Sequence, residues 1–276
     1  MIFFDAHNHL QDAALRPYRN EVVATCARLP VTRMVVNGTT EADWPEVASL
    51  AGRLPFVLPS FGLHPWYLRS RTDGWTECLR ELLKRHPTAA VGEFGLDRWM
   101  HDYDIDDQSA VFRTHLDLAA EFERPVTIHC LRAWDDLLGL LQRSKLPPSG
   151  FLVHAYGGPA GLVPDLVHLG AYFSFSGYFL NPNQERKLAA FRLVPADRLL
   201  VETDAPAMPL PADRAEFSLP APDAGEVINH PANLRAVYRG LAELRGLSMD
   251  ELGAQVAANF ERVFGACIAH KSLDHP

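Results

Sequence analysis

The sequence predicts an α/β protein built as a single (β/α)8 TIM barrel, and three observations carry that prediction. The chain has 276 residues, close to the ~250 that such a barrel uses as one domain. Short apolar runs alternate with amphipathic stretches of helical length, a pattern typical of parallel strands covered by helices on both faces. No internal repeat, low-complexity tract or interdomain linker interrupts the alternation.

The predicted strands are short and nearly continuous in apolar residues, as strands buried on both faces should be. Their number suits a closed barrel better than an open sheet, which rarely needs so many. In chain order they cover residues 2–5, 32–37, 56–62, 89–93, 126–129, 151–154, 171–175 and 199–202.

The predicted helices fill the gaps between the strands, and capping signals support several boundaries. Thr40 with Asp43 marks the start of the second helix, and Ser248 with Glu251 forms a capping box at the last. Asn229 precedes Pro231 at a third helix start. The helices cover residues 19–28, 41–53, 75–86, 108–123, 133–144, 159–169, 184–193, 231–245 and 249–264, which assigns residues 1–265 to the barrel and 266–276 to a C-terminal tail.

Two segments depart from the alternation of strands and helices. Residues 97–107 form an acidic loop after the fourth strand, and residues 205–230 form a Pro-rich stretch after the eighth. A loop of ~25 residues in a compact domain is usually functional or disordered. Since loops that follow barrel strands lie on the catalytic face, we expect the second segment to act as a lid or to contact substrate.

Most of the predicted strands place His, Glu or Asp at or just beyond their C-terminal ends, where barrel enzymes build their active sites. The first is followed by His7 and His9, which share one face of the chain with Asp5 because side chains alternate along a strand. The donors that follow other strands are His64, Glu93, His129, His154 and Asp204.

Imidazole and carboxylate groups are the usual ligands of catalytic zinc and related divalent ions. A site with one ion needs about three protein ligands and an open position. The candidates exceed that number, so the sequence predicts two divalent ions per subunit, ~3.5–4 Å apart and sharing a carboxylate. Glu93 is the expected bridge, and Zn, Mg, Mn or similar ions suit the set. The candidate ligands are His7, His9, Glu93, His129, His154 and Asp204.

Several motifs, in this order along the chain, resemble those of the TatD family of metal-dependent hydrolases, within the wider amidohydrolase-like barrel superfamily. Together they span the chain to about residue 265. The motifs are DAHNHL at 5–10, GLHP at 62–65, VGEFGLD at 91–97, TIHC at 127–130, LVHAYGG at 152–158 and ETDAP at 202–206, with weaker matches in HPANL at 230–234 and NFERVFG at 259–265.

The resemblance implies both a ligand assignment and an activity. His64 would lie beside the metals and contact the phosphate of the substrate. The activity implied is that of a divalent-metal-dependent deoxyribonuclease acting on DNA ends. One ion would be held by His7, His9, Glu93 and Asp204, and the second by Glu93, His129 and His154.

A mechanism follows from these residue types. Bound ions lower the pKa of water towards neutrality and polarise a phosphoryl oxygen. Asp204 is the expected acceptor of a proton from the attacking water, and His64 could hold a phosphoryl oxygen or protonate the leaving group. Glu202, two residues before Asp204, either orients a ligand or forms an ion pair inside the barrel mouth.

The sequence departs from the family pattern at two candidate substrate contacts. Trp66 stands where relatives often carry a second histidine. Its indole could stack on a base or sugar, a contact worth ~1–3 kcal/mol, or pack on the barrel rim. Arg132 is a candidate phosphate contact, although it lies three places beyond His129 where relatives carry an arginine two places beyond.

Charge bears on the kind of substrate. Acidic residues outnumber basic ones by 34 to 26, for a net charge of −8. The chain therefore lacks the basic stripe that grips nucleic-acid backbones without sequence preference, and the acids of residues 97–107 would repel a long polyanion unless they are merely solvated. We expect bound metal ions to attract a phosphate-bearing substrate, and single-stranded or frayed ends to bind better than intact duplex.

The composition argues against a disordered, a disulfide-stabilised and a membrane-spanning protein. Hydrophobic residues make up 47% and charged residues 22%, ordinary for a globular protein with a sizeable core. Four scattered cysteines argue against a disulfide scaffold. No apolar run reaches the ~18 residues of a membrane span, and the N-terminal segment lacks the basic region of a secretory signal. A cytoplasmic protein is expected, and no obligate protein partner is inferred.

Three hypotheses for function remain, in order of preference. The first is a DNA exonuclease that cleaves phosphodiester bonds through a two-metal-activated water. The second is an amidohydrolase-type enzyme for C–N, lactone or small phosphate ester bonds, since one barrel supports many chemistries. Glu93 at the fourth strand, where some such enzymes carry a carboxylated lysine, favours the first. The last is a non-catalytic metal-binding scaffold, which would be expected to lack a ligand.

Overall fold

Parallel strands form a nearly closed barrel, which confirms the predicted fold class. The computed structural model describes residues 2–220 and 227–271. The strands are β1 Phe3–Asn8, β2 Val31–Asn37, β3 Val57–Phe61, β4 Ala90–Asp97, β5 Val126–Leu131, β6 Phe151–Val153, β7 Ala171–Ser176 and β8 Leu199–Glu202. Their order around the 8-stranded sheet is their order in the chain, and each neighbouring pair is parallel.

The seam between β8 and β1 is closed just beyond the strand ends. The Asp204 N–H donates to the carbonyl of His7 at 3.0 Å, and the His9 N–H donates to the carbonyl of Ala205 at 2.8 Å. The buried carboxylate of Asp5 accepts hydrogen bonds from the N–H and hydroxyl of Thr203, at 3.0 and 2.6 Å. The seam therefore sets the backbones of His7, His9 and Asp204 side by side.

Helices follow the strands and cover the outside of the barrel. No described helix is both long and apolar enough to cross a bilayer. The last helix continues past residue 265, and residues 272–276 of the expected tail lie outside the described residues. The helices are α1 Arg19–Arg28, α2 Trp44–Arg53, α3 Trp75–Arg85, α4 Ile105–Glu121, α5 Trp134–Leu141, α6 Val163–His168, α7 Glu185–Leu193, α8 Leu234–Arg245 and α9 Met249–Lys271.

Capping explains where several helices begin. Ser248 and Glu251 exchange side-chain and backbone hydrogen bonds at the start of α9, which confirms the capping box. Helix α4 begins earlier than expected because the Asp104 carboxylate accepts the N–H groups of Asp106 and Asp107.

Two residues that were expected to cap helices make other hydrogen bonds instead. Asp43 precedes α2 directly, and its carboxylate accepts the N–H groups of Thr39 and Thr40 rather than those of the helix. Ahead of α8, the short 3-10 helix Pro231–Asn233 is capped by the imidazole of His230, which accepts the Ala232 N–H. Asn229 instead donates to the carbonyl of Thr203 at 2.8 Å.

Strands β4 and β5 run further than the sequence indicated, so Glu93 lies within β4 rather than at its end. Pairing continues from Phe94 opposite Ile128 to Asp97 opposite Leu131. Gly95 allows this close approach, since a Cβ atom there would lie 1.9 Å from the carbonyl oxygen of His129. The extension places Asp97 on the same side of the strand as Glu93, because side chains alternate.

Candidate metal centre

A cleft of about 400 Å³ opens at the C-terminal ends of the strands. Its walls carry Trp66 and Tyr67 on one side and Phe179 and Lys187 on the other. The loop after β8 contributes residues 206–208. Its floor holds the side chains of His9, His64, Glu93, His129, His154 and Asp204, with His7 fully buried beneath them.

Four donor atoms surround one point beside β1. His7 Nε2 lies 3.2 Å from His9 Nε2, 3.4 Å from Glu93 Oε2 and 3.5 Å from Asp204 Oδ1. His9 Nε2 is 3.3 Å from each of the same two oxygens. Ligands bound tetrahedrally at about 2.0–2.1 Å are about 3.3 Å from one another. This donor set therefore fits a divalent ion.

A second group of donors lies on the other side of Glu93. Glu93 Oε1 is 3.1 Å from His129 Nδ1 and 2.7 Å from His154 Nε2, and the two nitrogens are 3.2 Å apart. Glu93 thus presents Oε2 to the first group and Oε1 to the second. A carboxylate shared by two ions presents one oxygen to each, so these three residues could hold a second ion. The 2.7 Å contact between Glu93 and His154 is a hydrogen-bond distance, and these two atoms would move apart when an ion binds.

Burial and neighbouring charges set the protonation of the centre. Burial lowers the pKa of His7 to about 4, so its imidazole is neutral at pH 7. Burial would raise the pKa of Glu93, but the charge of His154 and a hydrogen bond from His129 outweigh it and hold that pKa well below its usual range. Burial likewise opposes charge on Asp204, yet the neighbouring histidines lower its pKa. Both carboxylates are therefore ionised, which is the state that binds a cation.

Two of the histidines are oriented by hydrogen bonds from the ring nitrogen that faces away from the centre. His9 Nδ1 lies 2.8 Å from the carbonyl oxygen of Asn37, and His129 Nε2 lies 2.8 Å from Asp97 Oδ2. Each acceptor requires an N–H on that nitrogen. Burial opposes charge on both rings, but hydrogen bonds to neighbouring carboxylates raise the pKa of His9 and of His129. In the neutral ring, which is the form that binds a metal, the opposite nitrogen carries the lone pair and faces the centre.

His64 is held as the opposite tautomer. It lies directly after the loop that follows β3, and its Nδ1 accepts the N–H of Trp66 at 3.2 Å. In the neutral ring the proton is then on Nε2, which lies 3.6 Å from Glu93 Oε1. Burial lowers the pKa of His64 to about 3, so the ring is neutral. His64 consequently offers a hydrogen-bond donor to the cleft.

Glu202 lies below His154 at the end of β8. Its Oε1 is 3.7 Å from His154 Nδ1, and its Oε2 accepts the hydroxyl of Ser174. Burial raises the pKa of Glu202. At 3.7 Å the Glu202 oxygen and His154 Nδ1 form an ion pair but no hydrogen bond, so the orienting role of Glu202 stays a prediction.

Asp97, the last residue of the VGEFGLD motif at 91–97, is a further neighbour of the centre that was not predicted as a site residue. Its Oδ2 accepts hydrogen bonds from His129 Nε2 and, at 2.7 Å, from Trp66 Nε1, and its Oδ1 accepts the Trp99 N–H at 2.6 Å. Its spacing of four from Glu93 was the available signal, because that spacing puts both acids on one strand face.

The two candidate substrate contacts are placed differently. Trp66 lines the cleft and is 43% exposed, which leaves ring surface open to a ligand. Arg132 is exposed and does not line the cleft. Its guanidinium carbon lies 4.2 Å from the ring centroid of Trp99 on the rim. Lys187 enters the cleft from α7, although no motif or pattern in the sequence indicated it.

The acids of residues 97–107 are largely engaged. Asp102 pairs with Arg69, and Asp107 pairs with Arg71 at 2.6 Å. Asp104 caps α4. This loop therefore presents less free negative charge to a polyanion than its composition indicated.

The Pro-rich segment 205–230 reaches the cleft at its start, through Pro206, Ala207 and Met208. Its described parts are tied to the barrel. The Asn229 side-chain amide donates hydrogen bonds to the carbonyls of Thr203 and Met208. The Tyr18 hydroxyl donates one to the carbonyl of Pro220. Residues 221–226 lie outside the described residues. Contact between segment 205–230 and the substrate stays a prediction.

Comparison with known proteins finds similar chains of nearly the same length. The family profile described as TatD related DNase matches residues 4–265. The chain is 32% identical over 267 residues to the uncharacterized metal-dependent hydrolase YcfH of Escherichia coli K12, covering 96% of each. It is 29% identical over 263 residues to the 3'-5' ssDNA/RNA exonuclease TatD of Erwinia tasmaniensis, covering 95% of this chain and 99% of that protein.

The architecture has a similar solved structure. The crystal structure of YjjV, a TatD homologue from Escherichia coli K12, has a TM-score of 0.86 at 28% sequence identity. The match covers 95% of this chain and 98% of that chain.

Proposed function

Because the chain belongs to the TatD family of metal-dependent hydrolases, we propose that it cleaves phosphodiester bonds at single-stranded or frayed DNA ends. The observation that carries the proposal is the position of Glu93, whose two oxygens face two separate groups of donor atoms. When bound, two divalent ions polarise a phosphoryl oxygen and lower the pKa of an attacking water. The name of the Erwinia tasmaniensis relative, a 3'-5' ssDNA/RNA exonuclease, supports a single-stranded substrate.

Six residues would hold the ions in this proposal. Glu93 would serve both ions, because one of its oxygens faces each group of donors. Asn37 and Asp97 preset the rings of His9 and His129, so these ligands need little reorganisation. His7, His9, Glu93 and Asp204 would hold the first ion, and Glu93, His129 and His154 would hold the second.

Asp204 and His64 carry out the proton and hydrogen-bond chemistry. Asp204 lies on the cleft side of the first donor group, and its carboxylate accepts the proton of the attacking water. His64 donates its Nε2–H to a phosphoryl oxygen, because Nδ1 is already occupied by the Trp66 N–H. Glu93 contacts both groups of donor atoms and so keeps their separation constant during the reaction.

Three further residues support these steps. Glu202 orients His154 through Nδ1. Trp66 stacks on a base or sugar of the bound strand, and its indole N–H is held by Asp97. Arg132, on the rim with Trp99, contacts the phosphate of a longer strand.

Metal reconstitution with end-labelled DNA tests the proposal. The protein is stripped of metal, and Mg, Mn or Zn is restored separately before single-stranded and duplex oligonucleotides are added. We expect metal-dependent shortening of the single strand, faster than that of the blunt duplex. Asp204→Asn should lower the rate at least ~100-fold, within the range for loss of a positioned acid or base.

The exposed acid Asp117, on α4 and outside the cleft, provides the matched control. Asp117→Asn should shorten DNA at the wild-type rate, which separates loss of Asp204 from loss of a carboxylate elsewhere. If wild type and Asp204→Asn are equally inactive on DNA with every metal, the exonuclease proposal is wrong. The loaded protein is then assayed on lactones, amides and small phosphate esters.

A further inference from the structure

Lys187 brings a cationic side chain into a cleft whose other charged groups are acids and imidazoles. It lies in the first turn of α7, the helix that follows β7. Among the lining residues of the cleft in the described part of the chain, it is the only lysine or arginine. Each phosphate of a bound strand that pairs with a lysine or arginine adds to the affinity by releasing counterions.

Contacts along its length hold Lys187 in this position. A Cβ atom added to Gly157, in the loop after β6, would lie 3.3 Å from the Cε of Lys187. Glycine at that position therefore leaves room for the lysine stem to cross towards the cleft. The ammonium lies 5.4 Å from the ring centroid of Tyr178 and 5.2 Å from that of Phe179, within range of cation–π attraction.

The ammonium has no ionic partner in the described residues, where no carboxylate oxygen lies within 4.0 Å of it. Partial burial lowers the pKa of Lys187, which reflects the loss of some of its hydration. A cation that is partly dehydrated and unpaired gains more from an incoming anion than one in bulk water. Lys187 is thus prepared to bind an anionic group.

Lys187 faces the aromatic wall across the full width of the barrel mouth. It follows β7, whereas Trp66 and Tyr67 follow β3. In a barrel whose 8 strands are ordered as in the chain, β3 and β7 lie four strands apart in either direction and are therefore opposite. The candidate metal ligands, from β1, β4, β5 and the segments after β6 and β8, lie between these two walls.

We propose that Lys187 is a substrate-binding residue that holds a phosphate of the bound strand other than the one being cleaved. The proposal rests on the proposed function and adds a path for the strand. The reacting phosphate lies over Glu93, an adjacent base stacks on the Trp66 and Tyr67 wall, and the neighbouring phosphate on the opposite side pairs with Lys187. The strand then crosses the mouth along the diameter from β3 to β7.

The test measures the affinity of a short phosphorothioate single strand for the metal-loaded protein at several salt concentrations. Lys187→Gln should weaken binding about tenfold, the loss of one charge-assisted hydrogen bond. The slope of log K against log [salt] should fall by about 0.7, the value for one phosphate contact on a single strand. Lys187→Arg should restore most of the affinity and the slope.

Arg186 is the matched control, because it is the exposed neighbour of Lys187 and does not line the cleft. Arg186→Gln should leave affinity and slope as in wild type. In steady-state assays, Lys187→Gln should raise KM for a single strand about tenfold with kcat within twofold. It should leave hydrolysis of bis(p-nitrophenyl) phosphate, which has one phosphate, unchanged.

The outcomes separate the two proposals. If wild type cleaves the strand and Lys187→Gln binds and cleaves it like wild type, the role of Lys187 is wrong while the exonuclease proposal stands. An equal loss on the strand and on the small diester also overturns it, since Lys187 would then act on the reacting phosphate or on folding. If wild type neither binds nor cleaves the strand, both proposals are wrong.

Discussion

Asp97 connects three parts of the site at the scale of single residues. Its carboxylate joins the ring of His129, the indole of Trp66 and the backbone of the loop after β4. The bond to His129 selects the tautomer whose Nδ1 lone pair faces Glu93. A carboxylate behind a histidine ligand orients the ring and raises its basicity.

Asp97→Asn is expected to weaken metal binding at the donor group of His129 by about 10–100-fold, the usual cost of removing such a partner. The amide cannot stabilise positive charge on the ring as a carboxylate does. Competition with a metal-sensitive dye measures the affinity. Asp136→Asn, on the surface beside Arg98, is the control, and equal affinities for the two variants would contradict this role of Asp97.

At the scale of elements, His115 connects helix α4 to the segment that carries His64. Its Nδ1 lies 2.8 Å from the carbonyl of Val111, and its Nε2 accepts the Leu63 N–H at 3.2 Å. The ring stacks between Trp75 and Phe94, at centroid distances of 5.0 and 4.7 Å. It is neutral in the folded state because burial lowers its pKa to about 4.

This lowered pKa predicts a contribution to stability that is present above pH 6.5 and is lost as pH falls towards 4. In that window the unfolded chain binds a proton that the folded chain does not, so acid favours unfolding. Between pH 7 and pH 5 the loss should be about 2 kcal/mol. His115→Gln, whose amide can make both hydrogen bonds without titrating, should remove that part of the pH dependence.

Urea unfolding in the presence of a chelator measures this effect without interference from metal binding. His168→Gln changes an exposed histidine and should keep the pH dependence of wild type. A pH dependence of His115→Gln equal to that of wild type would show that the folded ring takes up the proton as easily as the unfolded chain does.

At the scale of the whole molecule, the net charge of −8 is distributed so that the site can still receive an anion. Rim acids such as Asp102 and Asp107 are paired with arginines. Buried carboxylates are concentrated around the centre, where cations neutralise them. The field that meets a substrate therefore depends on bound metal, in keeping with a metal-dependent hydrolase.

Metal removal should consequently destabilise the whole barrel, because the ligands come from β1, β4, β5 and the segments after β6 and β8. At a free metal concentration about 100 times Kd, binding stabilises the fold by about 2.7 kcal/mol. Chelation should therefore lower Tm by about 5 °C for a chain of this size, measured by differential scanning calorimetry. Asp204→Asn should show a smaller shift, and an unchanged Tm on chelation of wild type would contradict the proposed centre.

The sequence by itself determined the (β/α)8 fold, the order of the elements and the set of donor residues near the mouth. It could do so because strand alternation and helix length are local patterns, and a parallel barrel necessarily brings the ends of its strands to one face. The motifs also identified the TatD family, which the comparisons confirm. Strand limits were less accurate where one glycine, Gly95, allowed β4 and β5 to extend.

Only the tertiary structure decided which atoms meet. The split of the Glu93 oxygens between two donor groups, the support of His129 by Asp97 and the entry of Lys187 into the cleft depend on rotamers, register and contacts between distant residues. Arg132 follows the ligand strand β5 yet stacks on Trp99 at the rim. Such contacts leave no periodic pattern in the amino-acid sequence, because they arise only when separate loops converge on the same end of the barrel.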